Sequence, residues 1–579
     1  MASGELLGVL RRRASRRAAM RGAALSSAGL AFAIACGSSN NNKKAATTAT
    51  SAAPAPSGGT PAPGGGSAAA SPAAGSFKPA PGGKQGGEYR TGFTGPWAGV
   101  DPHNSVYGGS GLVPIIYNYL VRTSTIAPDI GILPELATAW ESAPDNLSVT
   151  FKLRPNAMIA ENKQNVPVRP MDAEDAKASF ERVADPKAAS NGYSWIHDWV
   201  DHFEAVDKTT FKVVTKAPYA WVLNNVGNNL YSAVVPKEWL LSPDLKKTAV
   251  GSGPFMLQSL EEGGKAIVVR NHTYWEPGLP LLNQITGNSF ADQATYRTAF
   301  TSKQIDVYGA TDVEEAKAIA GSLKGSQRYE DPGFGFNSFW MNVTQKPWDD
   351  PRIRKAVRRA INPDEYIQLI AKGLGKQIGP LSYAMKGYTL PDDELKKLMP
   401  FSIQDAKQIL QAAGQPNLTF KFQHPTSSNV ADYVNIFVRQ LAAAGITAQP
   451  EPQDAGTWVA GYFTNKLSAS LSLNQEYANP DFALHWFTTG GITGNSHYDT
   501  GFSDPEVDAA VKKAAGTIDE TARKAAYQDA QRLIISKDPP FWNFYGSYVN
   551  IVVGGNVVNY PHGIGSLGYY YTKNISLAS

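Results

Sequence analysis

IQDAKQILQAAGQPNLTFKFQHPTSSNVADYVNIFVRQLAAAGITAQP, residues 403–450, repeats one pattern twice. Residues 403–413 have the apolar spacing of an amphipathic helix and stop at Gly414. Residues 430–444 do the same and stop at Gly445. A glycine in that place adopts the left-handed backbone that ends a helix. After each glycine comes a short run rich in β-forming and apolar residues, 418–422 and then 446–450. Strand and helix alternating in this way predict a βαβ arrangement.

Working outward, Asp349-Asp350-Pro351 opens another helix. A carboxylate caps it, proline occupies the first turn, and Ile353, Ala356, Val357 and Ala360 share one face. Asp350 and Arg354 stand four apart and are expected to form a solvated ion pair. Residues 172–183 read as a helix with Glu174 and Asp175 in its first turn. Residues 148–153 and 210–215 alternate like half-buried strands, and 265–270 reads as a further strand. The fold class is therefore α/β, a mixture of helices and strands.

The amino-terminal end differs in kind. A basic run from Arg11 to Arg17, with Arg21, precedes an apolar stretch of small residues that closes at Cys36, the only cysteine of the 579 residues. Basic, then apolar, then small is the order of an export signal, and the apolar part is far short of the roughly 20 residues of a membrane-crossing helix. Ala33-Ile34-Ala35-Cys36 resembles the lipobox of bacterial lipoproteins, with Ala33 where leucine is usual. Ser15-Arg16-Arg17-Ala18-Ala19-Met20-Arg21 resembles a twin-arginine export signal. Cys36 is thus the expected lipidation site. Several acyl chains hold a protein firmly where one, at about 0.8 kcal/mol per buried CH₂, holds it marginally. Residues 37–87 are Ser, Asn, Ala, Thr, Gly and Pro with almost no large apolar side chain, the composition of a disordered tether with a mean reach on the order of 40 Å.

A formal net charge of +4, part of it in the export signal, gives no support to nucleic-acid binding. No disulfide is available, so the chain relies on its own core. The histidines are scattered: His197 and His202, the nearest-spaced pair, do not share a helix face, and no metal site is expected. No nucleophile, base and orienting acid stand in a local motif, so a secreted hydrolase, which would need a triad dispersed through the sequence, is the remote alternative. Gly251 and Gly253 are expected to permit a tight turn.

Seven short motifs follow one another after the tether. Val100-Asp101-Pro102-His103 is followed by Tyr117-Asn118-Tyr119-Leu120. Pro134-Glu135-Leu136-Ala137 precedes Trp140-Glu141 and then Phe151-Lys152-Leu153-Arg154. Met171-Asp172-Ala173-Glu174-Asp175, Gly251-Ser252-Gly253-Pro254-Phe255 and Asp350-Pro351-Arg352-Ile353-Arg354-Lys355-Ala356, with Ala360-Ile361, complete the series. In order and spacing these resemble the solute-binding protein family 5 of ABC transporters, which contains the dipeptide- and oligopeptide-binding proteins.

The resemblance implies a two-lobed, periplasmic-binding-protein-like fold with a hinge, an interlobe ligand cleft and an extra inserted domain. The expected division is an export signal with lipobox (1–36), a tether (37–87), lobe I (88–128, 232–335 and 545–579), an inserted domain (129–231) and lobe II (336–544). It implies a monomeric receptor rather than an enzyme, without cofactor, lipid-anchored to the bacterial cell membrane on its extracytoplasmic side. Such a receptor delivers its solute to the permease subunits of an ABC importer. In peptide-binding members an aspartate shortly before a proline pairs with the ligand's ammonium group, and Glu476, four residues before Pro480, stands at the matching place, with Asp481 as the alternative. Trp340, Trp458, Trp486 and Tyr477 are the aromatic candidates for the cleft wall, as large rigid rings suit a receptor tolerant of varied side chains. A peptide receptor and an oligosaccharide receptor both remain open: the first requires an acidic anchor, the second a tryptophan floor without a buried charge partner.

Overall fold

The computed structural model describes residues 84–578 except 96, 98, 105–110, 125–130, 189, 191, 262–263, 386, 427–429, 464–465, 476–478, 492–499 and 564–571. Cys36, the export signal and nearly all of the tether lie outside the described residues.

The strands and helices read from the sequence form where the pattern places them. Ser148–Leu153, Thr210–Thr215 and Lys265–Arg270 are strands, and Ala173–Val183, Pro351–Arg359, Ile403–Ala412 and Val430–Ala443 are helices. The helix Ala173–Val183 is opened by a capping box. Asp172 accepts from the backbone of Glu174 and Asp175, while the Asp175 side chain accepts from the Asp172 backbone. Gly414 and Gly445 have φ of 72° and 82°, and the following residues donate back to Leu410 and Leu441 at 2.9 and 3.1 Å, closing both helices as expected.

Two expectations need correction. Asp350 caps its helix and pairs with Arg352 at 2.7 Å, while Arg354 is buried and donates to the carbonyls of Asp538 and Trp348. The helix is covered on the Arg354 side too, so the expected solvated pair does not form. Gly251 and Gly253 have ordinary φ and are required by close approach rather than by a turn: a Cβ on them would lie 2.3 and 2.5 Å from the Ile116 carbonyl oxygen. The Gly253 N–H donates to that same oxygen at 2.9 Å.

Three larger sheets organise the molecule. One contains, in order, Glu88–Thr94, Gln284–Phe290, Lys265–Arg270 and Phe255–Leu260. A second, wholly antiparallel, lies within residues 129–231 and contains Ala137–Ser142, Ser148–Leu153, Thr210–Thr215 and Val200–Asp207. The third runs Val307–Ala310, Phe541–Val553, Gln327–Met341, Ala469–Gln475, Thr419–Pro425, Thr447–Gln453, with Gly375–Lys376 added beside Phe541–Val553. Its two central strands, Gln327–Met341 and Phe541–Val553, pair antiparallel from Gln327↔Val553 to Trp340↔Phe541, with register shifts between Pro332 and Phe336 and between Asn337 and Ser338. The divisions at 335/336 and 544/545 both fall inside this one strand pair.

The apolar interior separates into cores that match the sheets. Phe339, Trp348, Phe420, Phe422 and Phe437 pack together beneath the third sheet. A larger cluster runs from Phe151, Phe180 and Phe211 of the inserted sheet to Trp340, Trp458 and Tyr527.

The contrast between two glycines is testable by denaturant unfolding. Gly253→Ala drives a Cβ into a backbone carbonyl and should cost about 1–3 kcal/mol or more. Gly414→Ala meets open space and only the left-handed backbone penalty, about 1 kcal/mol.

Candidate ligand-binding site

Thr419–Pro425, Thr447–Gln453 and Ala469–Gln475 run parallel, so their carboxyl ends leave the third sheet on one edge. Ligands of open α/β sheets bind in the crevice beyond that edge. Glu476 and Tyr477 follow directly on the last of these strands, and both lie outside the described residues. The chain re-enters at Asn479, whose side chain caps the helix Pro480–His485 by accepting from the Asp481 N–H at 2.9 Å, with Pro480 at the first helical position.

That cap sets Asp481 against the inserted segment. Its carboxylate is 6% exposed. Oδ2 accepts from the Tyr219 hydroxyl at 2.7 Å and Oδ1 from the Tyr527 hydroxyl at 3.4 Å. The network continues outward: Asn225 donates to Tyr219 at 2.8 Å, Trp221 donates its indole N–H to Tyr527 at 2.8 Å, and Asn479 donates to Asn225 at 3.2 Å. The Ala220 N–H donates to the Ala515 carbonyl at 3.0 Å, and the Arg523 guanidinium lies over the Trp221 ring. Residues 219–225 are thereby joined to residues 479–527 by side chain and backbone together. Both Asp481 oxygens are occupied by hydroxyl donors, which sets this residue as a cross-link between segments.

Burial pushes the Asp481 carboxyl above its ordinary 3.8, with His485, Tyr219 and Tyr527 pulling the other way and Asp198 adding to the rise. Burial likewise raises Tyr219 and Tyr527 well above 10, so both hydroxyls remain donors. Beside them is a narrow cleft lined by Trp195, Asp198, Phe482 and His485 among others. His485 Nε2 lies 3.5 Å from Asp198 across it.

Of the aromatic candidates, Trp340 and Trp458 come together through Tyr462, with ring centroids 5.7 and 5.0 Å from it, and the Trp458 indole donates to the Ser470 hydroxyl at 2.8 Å. Each is 3% exposed. Trp486 lies apart, edge-on to Phe541 at 5.9 Å and also buried. The three indoles are packed in the core. Tyr219, Trp221, Asn225 and Tyr527 escaped the sequence reading: no local motif marks them, and their partners lie up to 306 residues away. Among the described residues no group of three His, Cys, Asp or Glu side chains is arranged to hold a metal ion, and no helix is long and apolar enough to cross a membrane.

The raised Asp481 pKa fixes the sign of a pH effect. The folded form binds this proton more tightly than the unfolded form, so its contribution to stability is complete below 3.8 and declines as pH rises from there through the raised value. Asp481→Asn keeps an acceptor and should flatten that part of the melting-temperature profile. Asp481→Ala leaves two buried hydroxyls without an acceptor and should cost about 1–3 kcal/mol for each in chemical denaturation.

Comparison with known proteins places these features in a family. The profile described as "Bacterial extracellular solute-binding proteins, family 5 Middle" matches residues 131–495. The glutathione-binding protein GsiB of Pectobacterium atrosepticum is 26% identical over 434 residues, covering 72% of this chain and 80% of that protein. Among solved structures, the periplasmic binding protein DppA from Helicobacter pylori, in complex with the peptide STSA, superposes with a TM-score of 0.75 at 22% identity, covering 86% of this chain and 99% of DppA. MoaA from A. tumefaciens R10, in complex with mannopinic acid, gives 0.74 at 20% identity, covering 86% and 100%. The mixed α/β, periplasmic-binding-protein-like fold is therefore shared with proteins holding chemically different solutes, and the matched profile shows that this chain belongs to family 5 of the bacterial extracellular solute-binding proteins, the binding components of ABC transporters.

Proposed function

We propose that this chain captures peptides outside the cell and delivers them to an ABC permease while tethered to the membrane through Cys36. The observation that carries the ligand class is the nature of its relatives: GsiB is a glutathione-binding protein, and the DppA complex holds a tetrapeptide. Glu476 supports the same reading. It follows the carboxyl end of a strand beside the central pair, where a carboxylate can meet an α-ammonium group in a charge-assisted bond of about 1.5–3 kcal/mol.

In this reading the lobes are 88–128 with 232–335 and 545–579 on one side and 336–544 on the other, with 129–231 inserted. Gln327–Met341 and Phe541–Val553 form the hinge. The ligand favours the closed arrangement because only there do both lobes reach it. Trp340 and Trp458 stiffen the wall behind the cleft. The Tyr219–Asp481 and Trp221–Tyr527 contacts fasten the inserted domain to lobe II. As a family member the chain binds and releases its solute rather than transforming it.

Glu476→Gln should weaken a free-amine tripeptide at least tenfold more than its N-acetylated analogue in titration calorimetry, and equal losses for the two remove Glu476 from the anchoring role. Melting the protein against peptide and oligosaccharide pools distinguishes the ligand classes. A bound ligand at a hundredfold excess over its dissociation constant stabilises by about 2.7 kcal/mol, and a shift with sugars alone overturns the peptide assignment. Cys36→Ser should move the protein from the membrane pellet to the soluble fraction of the expressing cell.

A further inference from the structure

The helix Pro351–Arg359 gathers positive charge around a single carboxylate. Arg358 Nη2 lies 3.7 Å from Asp538 Oδ1 and Lys355 Nζ lies 3.6 Å from Asp538 Oδ2, both within ion-pair range but longer than a hydrogen bond. Arg354 completes the group, its Nε and Nη1 donating to the carbonyls of Asp538 and Trp348 at 2.6 and 2.7 Å. Lys355 and Arg358 thus share one carboxylate, with Arg354 held on carbonyl oxygens beside them, and Arg354 and Arg358 are only 6% and 7% exposed. Burying a cation without full counter-charge is costly, and proteins answer it with a partner or an ion.

Arg358 has donors to spare. Its Nε and Nη1 have no acceptor among the described residues, and its side chain lines a cavity walled by Phe487, Ile535, Phe541 and Trp542. The Trp542 indole N–H is likewise without an acceptor among the described residues. Asn543, on the same lining, gives its amide to the Gly379 carbonyl at 2.9 Å, and its carbonyl oxygen has no donor among the described residues, a place a water would use and an anion would avoid. The free space holds about one water-sized sphere. Desolvation brings the Arg358 guanidinium down to about 10, and burial raises Asp538 above its ordinary value while the cations around it pull the other way.

We propose that this cavity is a binding site for a halide-sized monovalent anion, which accepts from the Arg358 guanidinium and supplies the counter-charge that Asp538 alone does not. None of the residues that line it lines the cleft beside Asp481. The site lies where the turn at Asp538 leads into Phe541–Val553, at the opposite end of that strand from the Val307–Ala310 pairing, so the bound ion ties the root of a central strand to the helix Pro351–Arg359.

The test compares the full chain in sodium chloride and in sodium gluconate at equal ionic strength. Chloride should raise the melting temperature by roughly 1 °C or more for each tenfold increase above its dissociation constant, and Arg358→Met should erase the difference between the salts. Crystals soaked in bromide should show an anomalous peak within hydrogen-bonding reach of the Arg358 guanidinium. Identical melts in both salts, a chloride increment that survives Arg358→Met, or a water in the cavity with no anomalous signal each overturn the proposal. A bromide peak without the chloride-specific shift marks an adventitious ion only and overturns it as well. Should Arg358→Met fail to fold, the two measurements on the unsubstituted chain decide.

Discussion

Gln327–Met341 and Phe541–Val553 are hydrogen-bonded along nearly their whole lengths, and the third sheet is built outward from them on both sides. Val307–Ala310 joins the far end of Phe541–Val553, while Ala469–Gln475 joins the other end of Gln327–Met341. A β-ladder resists stretching and shear but yields to twist, most readily where its register shifts. The two shifts, between Pro332 and Phe336 and between Asn337 and Ser338, lie in the middle of the pair, where the proposed lobes divide. In the proposed division, both chain crossings between the lobes lie in this pair.

The contacts that join residues 219–225 to residues 479–527 are of another kind, apart from one backbone hydrogen bond from Ala220 to Ala515. Tyr219–Asp481, Trp221–Tyr527 and Asn225–Asn479 are side-chain hydrogen bonds, each worth about a kilocalorie net when made and more when a buried partner is left unsatisfied. The central ladder, by contrast, is a continuous backbone structure. This difference in strength lets one part of the molecule stay intact while another opens. It also explains why Asp481 is buried without a cation against it: a carboxylate served by two hydroxyl donors gives direction to the contact without the permanence of a buried ion pair.

Local structure was legible in the sequence because its causes are local. The Asp172 and Asp350 caps, the glycines at 414 and 445 and the alternation in residues 148–153 each act within a few residues, and each element formed where expected. The motif order led to the right family for the same reason. The long-range chemistry was not legible: Tyr219 meets Asp481 across 262 residues, and Arg354 turns from Asp350 to a carbonyl 184 residues on. Spacing on one helix says which side chains share a face but not whether that face meets water, and Arg354 is a case where it does not. Trp340, Trp458 and Trp486 illustrate the same limit, as composition marks them as large rings and only packing shows that they sit in the core.

The central claim is that two lobes twist about this strand pair to enclose a peptide. Spin labels at Leu241→Cys and Phe401→Cys, both on exposed side chains, in a Cys36→Ser background report the lobe separation by pulsed dipolar spectroscopy. The account predicts a broad distance distribution that shortens and narrows when peptide is added, and that needs a higher concentration of the N-acetylated analogue to do so. A distribution identical with and without every peptide bound by the protein contradicts it.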